Sequence, residues 1–443
     1  MKNCVIATLS LFTVLFSKAQ SYPVSAIPDS LKENADVVVR LDERISEIKS
    51  PAKVVFREHS VYTILNENAL RYAEYRTFYD HFITLNYVNA TLYDAQGKEL
   101  QHFKKKDMRD IAAEDGYSLA SDRRYREGGF SYHDYPFTVE FEEEDEADGA
   151  IFGINDWFPG AGIKISRQDS RYDIIAPKDY QIRYRSVNAD LLPAISEKGD
   201  KRTYHWELKN QPAMVEEPFA VPGTAYEPYL LVGLTDIEVQ GYRGNLSTWN
   251  DFGKFYGSLQ KGRDVLPGNV RAKVHELVDH LSDPKEKIAV LYDYLQKNTH
   301  YVSVQLGIGG WQTFDATYVA NNKYGDCKAL SNFMVSLLKE AGIKANIVAI
   351  YGGERAPDFV KDFVNDPFNH VICCVPMAKD TVWLECTSQH LPAGYLSSFT
   401  SNRYGLMILD DGGHLVHTPV YGLADNLQVR NVSAFLDETG SLK

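Results

Sequence analysis

Near residue 245 the hydrophobic periodicity of the chain changes, and that change constrains the fold more than any other feature. From about Asp36 to Trp206, short β-branched and aromatic runs alternate with polar or Gly/Pro turns. Val37-Val38-Val39-Arg40-Leu41 and Val54-Val55-Phe56 are such runs, and Phe82 to Phe103 reads as a hairpin with its turn at Asp94-Ala95-Gln96-Gly97. Further strands are expected around Tyr135–Glu142, Ile163–Arg167, Tyr180–Val187 and Lys201–Leu208. Short strands at this spacing predict an N-terminal β-sandwich domain over residues 36–240. A Pro- and Gly-rich stretch from about Gln211 to Gly241 leads out of it. Beyond it the apolar positions recur with helical spacing, predicting helices over Trp249–Tyr256, Val270–Val278 and Pro284–Asn298. Asp283-Pro284-Lys285-Glu286 gives the last of these a cap, a first-turn proline and a capping-box glutamate. The fold class is therefore α+β, with a second, mixed core over residues 245–400.

At 443 residues the chain is long enough for two to three domains. Its net charge of −13 argues against nucleic acid as a partner, because phosphate binding requires a cationic surface. Residues 1–20 read as a signal peptide: Lys2, an apolar run from Cys4 to Phe16, then Ser17-Lys18-Ala19 as small-x-small. That run is short for a membrane span, and no later stretch resembles one. The expectation is an exported protein, periplasmic or secreted. Signal removal leaves Cys327, Cys373, Cys374 and Cys386, which cluster in the last third and do not make a disulfide framework.

Lys323-Tyr324-Gly325-Asp326-Cys327-Lys328-Ala329-Leu330-Ser331 carries the chemistry. Leu330, Phe333, Met334, Leu337, Leu338 and Ala341 follow at helical spacing, and Gly342 stands where a C-terminal cap belongs. Asp326 is the expected N-cap, which places Cys327 in the first turn, where unpaired N–H groups and the helix dipole favour a thiolate. A cysteine nucleophile needs a base, and the base needs a group that holds its tautomer. His370 opens the strand Asn369–Val375, and Glu385 lies in the next, Thr381–Thr387, across the short link Met377-Ala378-Lys379-Asp380. A two-residue link sets His370 opposite Glu385, and a four-residue link makes them diagonal neighbours. Either way they share a face within about 5 to 8 Å. A three- or five-residue link would put them on opposite faces. Cys373 and Cys386 fall on the other face as small core residues, and Cys374 shares the His370 face as a second, weaker thiol candidate.

Other motifs carry less. Glu142-Glu143-Glu144-Asp145-Glu146-Ala147-Asp148 lacks the spacing of a calcium loop and reads as a solvated loop. His275 and His280 miss the i,i+4 spacing of a helical metal pair, and Gly307-Ile308-Gly309-Gly310 lacks the lysine of a phosphate cradle. No metal or cofactor is expected.

Tyr324-Gly325-Asp326-Cys327-Lys328-Ala329-Leu330, Phe368-Asn369-His370-Val371 and Trp383-Leu384-Glu385-Cys386-Thr387 together resemble the bacterial transglutaminase-like superfamily, over roughly Pro284 to Ser388. The β-rich region before them looks like the domain of unknown function that precedes such cores in exported Bacteroidetes proteins. The resemblance implies a papain-like core with Cys327 as nucleophile, His370 as general base and acid, and Glu385 where the superfamily usually has Asp. It implies a thioester acyl-enzyme formed from an amide or peptide carbonyl. Hydrolysis is then favoured over transamidation, because water needs no second binding site. Oxyanion donors would be the Cys327 backbone N–H, the Trp311 indole and the Gln305 side chain. The partner would be a peptide or protein, from the cell envelope if the protein is exported. The competing expectation is a non-catalytic envelope protein that grips peptide or glycan. Residues 401–443 continue as strands (Leu406–Leu409, His414–Thr418, Leu427–Leu436) and read as the start of a truncated C-terminal β-domain.

Overall fold

A computed structural model describes residues 21–441 except 115, 117, 222–225 and 355–358. The signal peptide expected over residues 1–20 lies outside the described residues. Among the described residues no helix is long and apolar enough to cross a membrane.

The N-terminal strands are β1 (Val37–Ser50), β2 (Lys53–Ile64), β3 (Ile83–Tyr93), β4 (Glu99–Lys104), β5 (Ser118–Ser121), β6 (Phe137–Asp148), β7 (Ile165–Pro177), β8 (Ala194–Lys198) and β9 (Lys201–Gln211). All but β5 form one eight-stranded sheet in the order β8-β9-β7-β1-β2-β6-β3-β4. Its pairs are antiparallel apart from β1 with β7. Smaller sheets lie against it. Tyr75 and Phe103 pack with Phe141 and Phe130 in one apolar cluster, and Leu230, Val232 and Leu234 pack with Ile174, Tyr204 and Trp206 in another.

The acidic run is not a loop. Residues 142–148 belong to β6, in the interior of the sheet. The pleat sends alternate carboxylates to opposite faces. Glu144 and Glu146 meet Arg57 and Lys53 across the β2–β6 pairing, both at 2.7 Å. Glu143 turns inward, is buried, and accepts hydrogen bonds from the Thr77 and Tyr75 hydroxyls. Cross-strand cations and hydroxyls thus let a carboxylate-rich sequence hold a strand.

The second half is built from α1 (Trp249–Gln260), α2 (Gly268–Val278), α3 (Pro284–Asn298), β10 (Ser303–Gln305), α4 (Ala316–Asn322) and α5 (Cys327–Glu340). They are followed by β11 (Asn346–Ile350), β12 (His370–Pro376), β13 (Thr381–Leu384), β14 (Tyr404–Leu409) and β15 (Gly412–His417). The strands make a five-stranded antiparallel sheet, β13-β12-β11-β14-β15. Helix α5 is central. Its Leu330, Phe333, Met334, Leu337 and Leu338 share a core with Ile288, Leu291, Tyr292 and Leu295 of α3 and with Cys373, Val375 and Leu384 of the sheet. Asp283 caps α3 by accepting the Lys285 N–H at 3.0 Å. The α+β class is as the sequence implies.

Leu427–Leu436 departs from expectation. It carries strand-like alternation, yet it is exposed, and among the described residues it forms no ladder beyond an isolated bridge at Leu436. Strand propensity expresses itself only against a neighbouring strand or a packed face, and none accompanies this stretch among the described residues.

Contacts at two places tie the N-terminal region to the second half near the helix-start cysteine. β5 pairs in parallel with β10; Ser118 Oγ lies 2.9 Å from Ser303 Oγ, and the Gly307 N–H donates to Asp122 at 3.2 Å. The segment before β12 is held by Arg183, which donates to the Val364 carbonyl at 2.9 Å, and by the Arg185–Asp362 ion pair. Phe363 packs there with Tyr229 and Leu231.

Helix α1 sits unusually close to the edge hairpin. A methyl group on Gly253 would coincide with the backbone of Gly412 and Gly413 in β15. Gly253→Ala therefore destabilises the protein by about 1–3 kcal/mol, against the gain of about 1 kcal/mol that alanine normally brings to a helix interior. Denaturant unfolding of the two proteins measures the sign.

Candidate active site

The cysteine is positioned by its own turn. Lys323 ends α4 in the left-handed conformation (φ 64°), and Tyr324-Gly325 make a short parallel pairing with His300-Tyr301. Gly325 is required there, since a Cβ on it would stand 2.8 Å from that of Ala329. Asp326 then caps α5, its Oδ1 accepting the Ala329 N–H at 2.9 Å. This is the cap read from the sequence. Cys327 occupies the first helical position and is 7% exposed. At that position its N–H has no intrahelical acceptor.

His370 opens β12. Cys373 pairs with Leu384, and the Met377 N–H donates to the Asp380 carbonyl at 2.8 Å. This is the four-residue link, so His370 and Glu385 are diagonal and share a face. The imidazole Nε2 lies 3.0 and 3.1 Å from the two Glu385 oxygens. With Nε2 engaged, Nδ1 is the nitrogen left for the thiol. Burial opposes the charge on His370, but Glu385 and hydrogen bonding with Cys327 outweigh it and raise its pKa to about 10. Burial likewise opposes the Glu385 carboxylate, yet the attraction of His370 and the bonds to His370 and Thr387 hold its pKa below the ordinary range.

Sequence reasoning missed the groups that seat this pair. Glu385 accepts from the Thr387 hydroxyl at 2.6 Å and backbone N–H at 3.3 Å, and from the Thr400 hydroxyl at 3.4 Å. Its own carbonyl accepts from the Tyr292 hydroxyl at 2.7 Å. The Phe399 ring meets the imidazole edge-on, with centroids 5.2 Å apart. Gly352 must be glycine, since a Cβ would stand 2.7 Å from Phe399 and 3.0 Å from the His370 Cβ. Asn369 brackets Gly352, accepting its N–H at 2.6 Å and donating to its carbonyl at 3.1 Å. Arg403 binds the two flanking loops together, donating to the carbonyls of Tyr351, Gly353, Ser398 and Ser401. Only Thr387 had a legible signal, two residues beyond the carboxylate.

Cys327, His370 and Glu385 are thus brought together. Trp311 packs into the apolar cluster that contains Cys327, its ring stacked on Phe152 at 4.9 Å and tilted against Phe82 at 6.0 Å. The Gln305 amide donates to Ser303 Oγ at 3.1 Å. Cys374 is not a second reactive thiol. It is fully buried against Met407, Ile372 and Trp383, and burial pushes its pKa up to about 12. Cys373 and Cys386 are buried free thiols on the opposite face. The arrangement suits nucleophilic attack at a carbonyl, with an imidazole able to exchange a proton and a carboxylate fixing that imidazole.

No curated protein matches the chain. A family model for a domain of unknown function with a solved structure (DUF3857) matches residues 50–215. A model for the transglutaminase-like superfamily matches residues 271–395. Among solved structures, a "putative protease" from Parabacteroides distasonis ATCC 8503 is similar over 87% of this chain and 72% of its own, at 13% identity and a TM-score of 0.63. That is a likeness of fold. A "putative cysteine protease" from Cytophaga hutchinsonii covers 76% of this chain and 77% of its own at 9% identity, but its TM-score of 0.23 carries no argument. The chain therefore joins, in this order, a DUF3857 region over residues 50–215 to a core of the transglutaminase-like superfamily over residues 271–395.

Proposed function

We propose that the protein is a thiol-dependent acyl-transfer enzyme acting on amide or peptide bonds, with hydrolysis as its default outcome. The observation that carries this reading is the buried imidazole of His370, which engages Glu385 through Nε2 and faces the Cys327 thiol at a helix N-terminus.

The thiol proton of Cys327 resides on His370 as the imidazolium, and the sulfur attacks the carbonyl carbon. The oxyanion receives the Cys327 N–H, with Trp311 or Gln305 as the second donor. As the tetrahedral intermediate collapses, His370 returns the proton to the leaving nitrogen, leaving a thioester on Cys327. Water, deprotonated by His370, then attacks the thioester and releases the acid; a primary amine in its place would give transamidation. Glu385 holds the ring orientation and stabilises the imidazolium. The substrate is a peptide or protein. With a leader over residues 1–20, it is met outside the cytoplasm, in the periplasm or the medium.

Three outcomes follow. Rates of Cys327 alkylation against pH show a midpoint well below the ordinary thiol value of about 8.5, and His370→Ala returns the midpoint to that value. An ordinary midpoint in both proteins replaces the enzyme with a passive peptide- or glycan-binding protein. Peptides incubated with and without an amine donor and followed by mass spectrometry are cleaved or amidated by the native chain and untouched by Cys327→Ala. Glu385→Gln lowers turnover of any such substrate by about two orders of magnitude or more.

The pH dependence has a defined sign. His370 is charged up to about pH 10 in the folded protein, against an ordinary value of about 6.5. Its contribution to stability is present in full below about 6.5 and disappears as the pH rises through 10. Turnover that needs the imidazolium as an acid falls over the same upper limit.

A further inference from the structure

Asp326 and Lys328 flank the cysteine, and their side chains are only 2% and 6% exposed. The Lys328 ammonium lies 2.5 Å from Asp326 Oδ2, while Asp326 Oδ1 receives the Ala329 N–H. Lysine is almost never buried unless paired. The pairing explains how the two groups tolerate the site, but it leaves open why a charged pair is there at all. Helix capping does not require it, because Asn caps as well as Asp and needs no counterion. A buried carboxylate one residue from a sulfur that must become negative works against that sulfur.

We propose that Lys328 is a positioning residue that cancels the Asp326 carboxylate at the head of α5, so that the Cys327 thiolate forms without a neighbouring uncompensated negative charge. This rests on the reading of Cys327 as nucleophile and adds to it the group that keeps the local charge balanced.

The charged and titratable groups around the sulfur make that balance tight. From β12, His370 faces Cys327, backed by Glu385 at the end of β13. From α1, Tyr256 faces it. Burial, followed by the negative charges of Cys327, Asp366 and Asp326, holds that phenol far above its usual range, so Tyr256 is neutral. Asp366, in the segment before His370, has an exposed side chain, so water screens its charge. On α5 itself stand Asp326 and Lys328. Burial opposes the charge on Lys328, but the attraction of Asp326 and then of Cys327 more than restores it. Against the thiolate, Glu385 and Asp326, the site offers two cations, His370 and Lys328. Loss of Lys328 leaves only the imidazolium.

The test is a double-mutant cycle in the full-length chain. The rate of iodoacetamide addition to the Cys327 peptide is followed by mass spectrometry across pH. Lys328→Met moves the midpoint of the native profile upward by about one pH unit or more. Asp326→Asn, which keeps the cap, moves it downward. The double variant returns to within a few tenths of a unit of the native midpoint. A merely structural lysine predicts something else: a lower melting temperature with midpoints unmoved in both single variants, and that result overturns the proposal. If Lys328→Met does not fold, Asp326→Asn decides alone, since an unmoved or raised midpoint overturns the proposal as well. Failure of the underlying reading is distinguishable, because it places the native midpoint itself at the ordinary thiol value.

Discussion

Two ionisable groups in a nearly dry setting set the terms for the second half of this molecule. A buried imidazole–carboxylate pair survives only where every remaining lone pair and proton is met, since desolvation otherwise exceeds the Coulomb gain. Glu385 meets that condition with donors from three places: the His370 ring, Thr387 just beyond β13, and Thr400 in the loop before β14. Those places must be held together, and Arg403 does it with hydrogen bonds to four carbonyls. The same loops carry Gly352 and Phe399, which close on the ring from the other side. The five-stranded sheet, its loops and the arginine between them are one device for keeping a single ring in one orientation.

The helix-start cysteine depends on a separate and more local logic. Gly325 permits the close turn, Asp326 caps, and the apolar stripe of α5 buries the helix between α3 and the sheet. Because the helix is packed on both sides, its first turn cannot tilt, and the sulfur stays aimed at the end of β12. Helix termini in general fray; this one is clamped by the capping bond and by the ion pair beside it.

What the sequence disclosed follows from range. The cap at Asp326 and the apolar spacing after it are local, so both were legible and both match the structure. The shared face of His370 and Glu385 was legible because parity in a hairpin depends only on the length of its link, and the Met377–Asp380 link has four residues. The carboxylates of residues 142–148 were misread because their partners, Arg57 and Lys53, lie far back in the chain and leave no local trace. Thr400, Phe399, Gly352 and Arg403 gave no signal for the same reason: they come from loops without periodicity and meet only in three dimensions. Leu427–Leu436 shows the reverse error, a local preference with no strand beside it among the described residues to satisfy it. Cys374 was placed on the correct face, but parity says nothing of depth, and depth makes it inert.

The anchoring of the segment before β12 by Arg183, Arg185 and Phe363 has a bearing on biosynthesis. Chains fold as they emerge, from the N-terminal end first. The platform of Tyr229, Leu231 and the two arginines emerges well over a hundred residues before the segment it receives, and the cysteine helix also precedes the histidine. The β-rich half therefore stands ready as a template before the half that carries Cys327 and His370 is complete. The imidazole of His370 joins last, once its docking surface exists, so the nascent polypeptide carries no assembled thiol–imidazole couple until both halves have met.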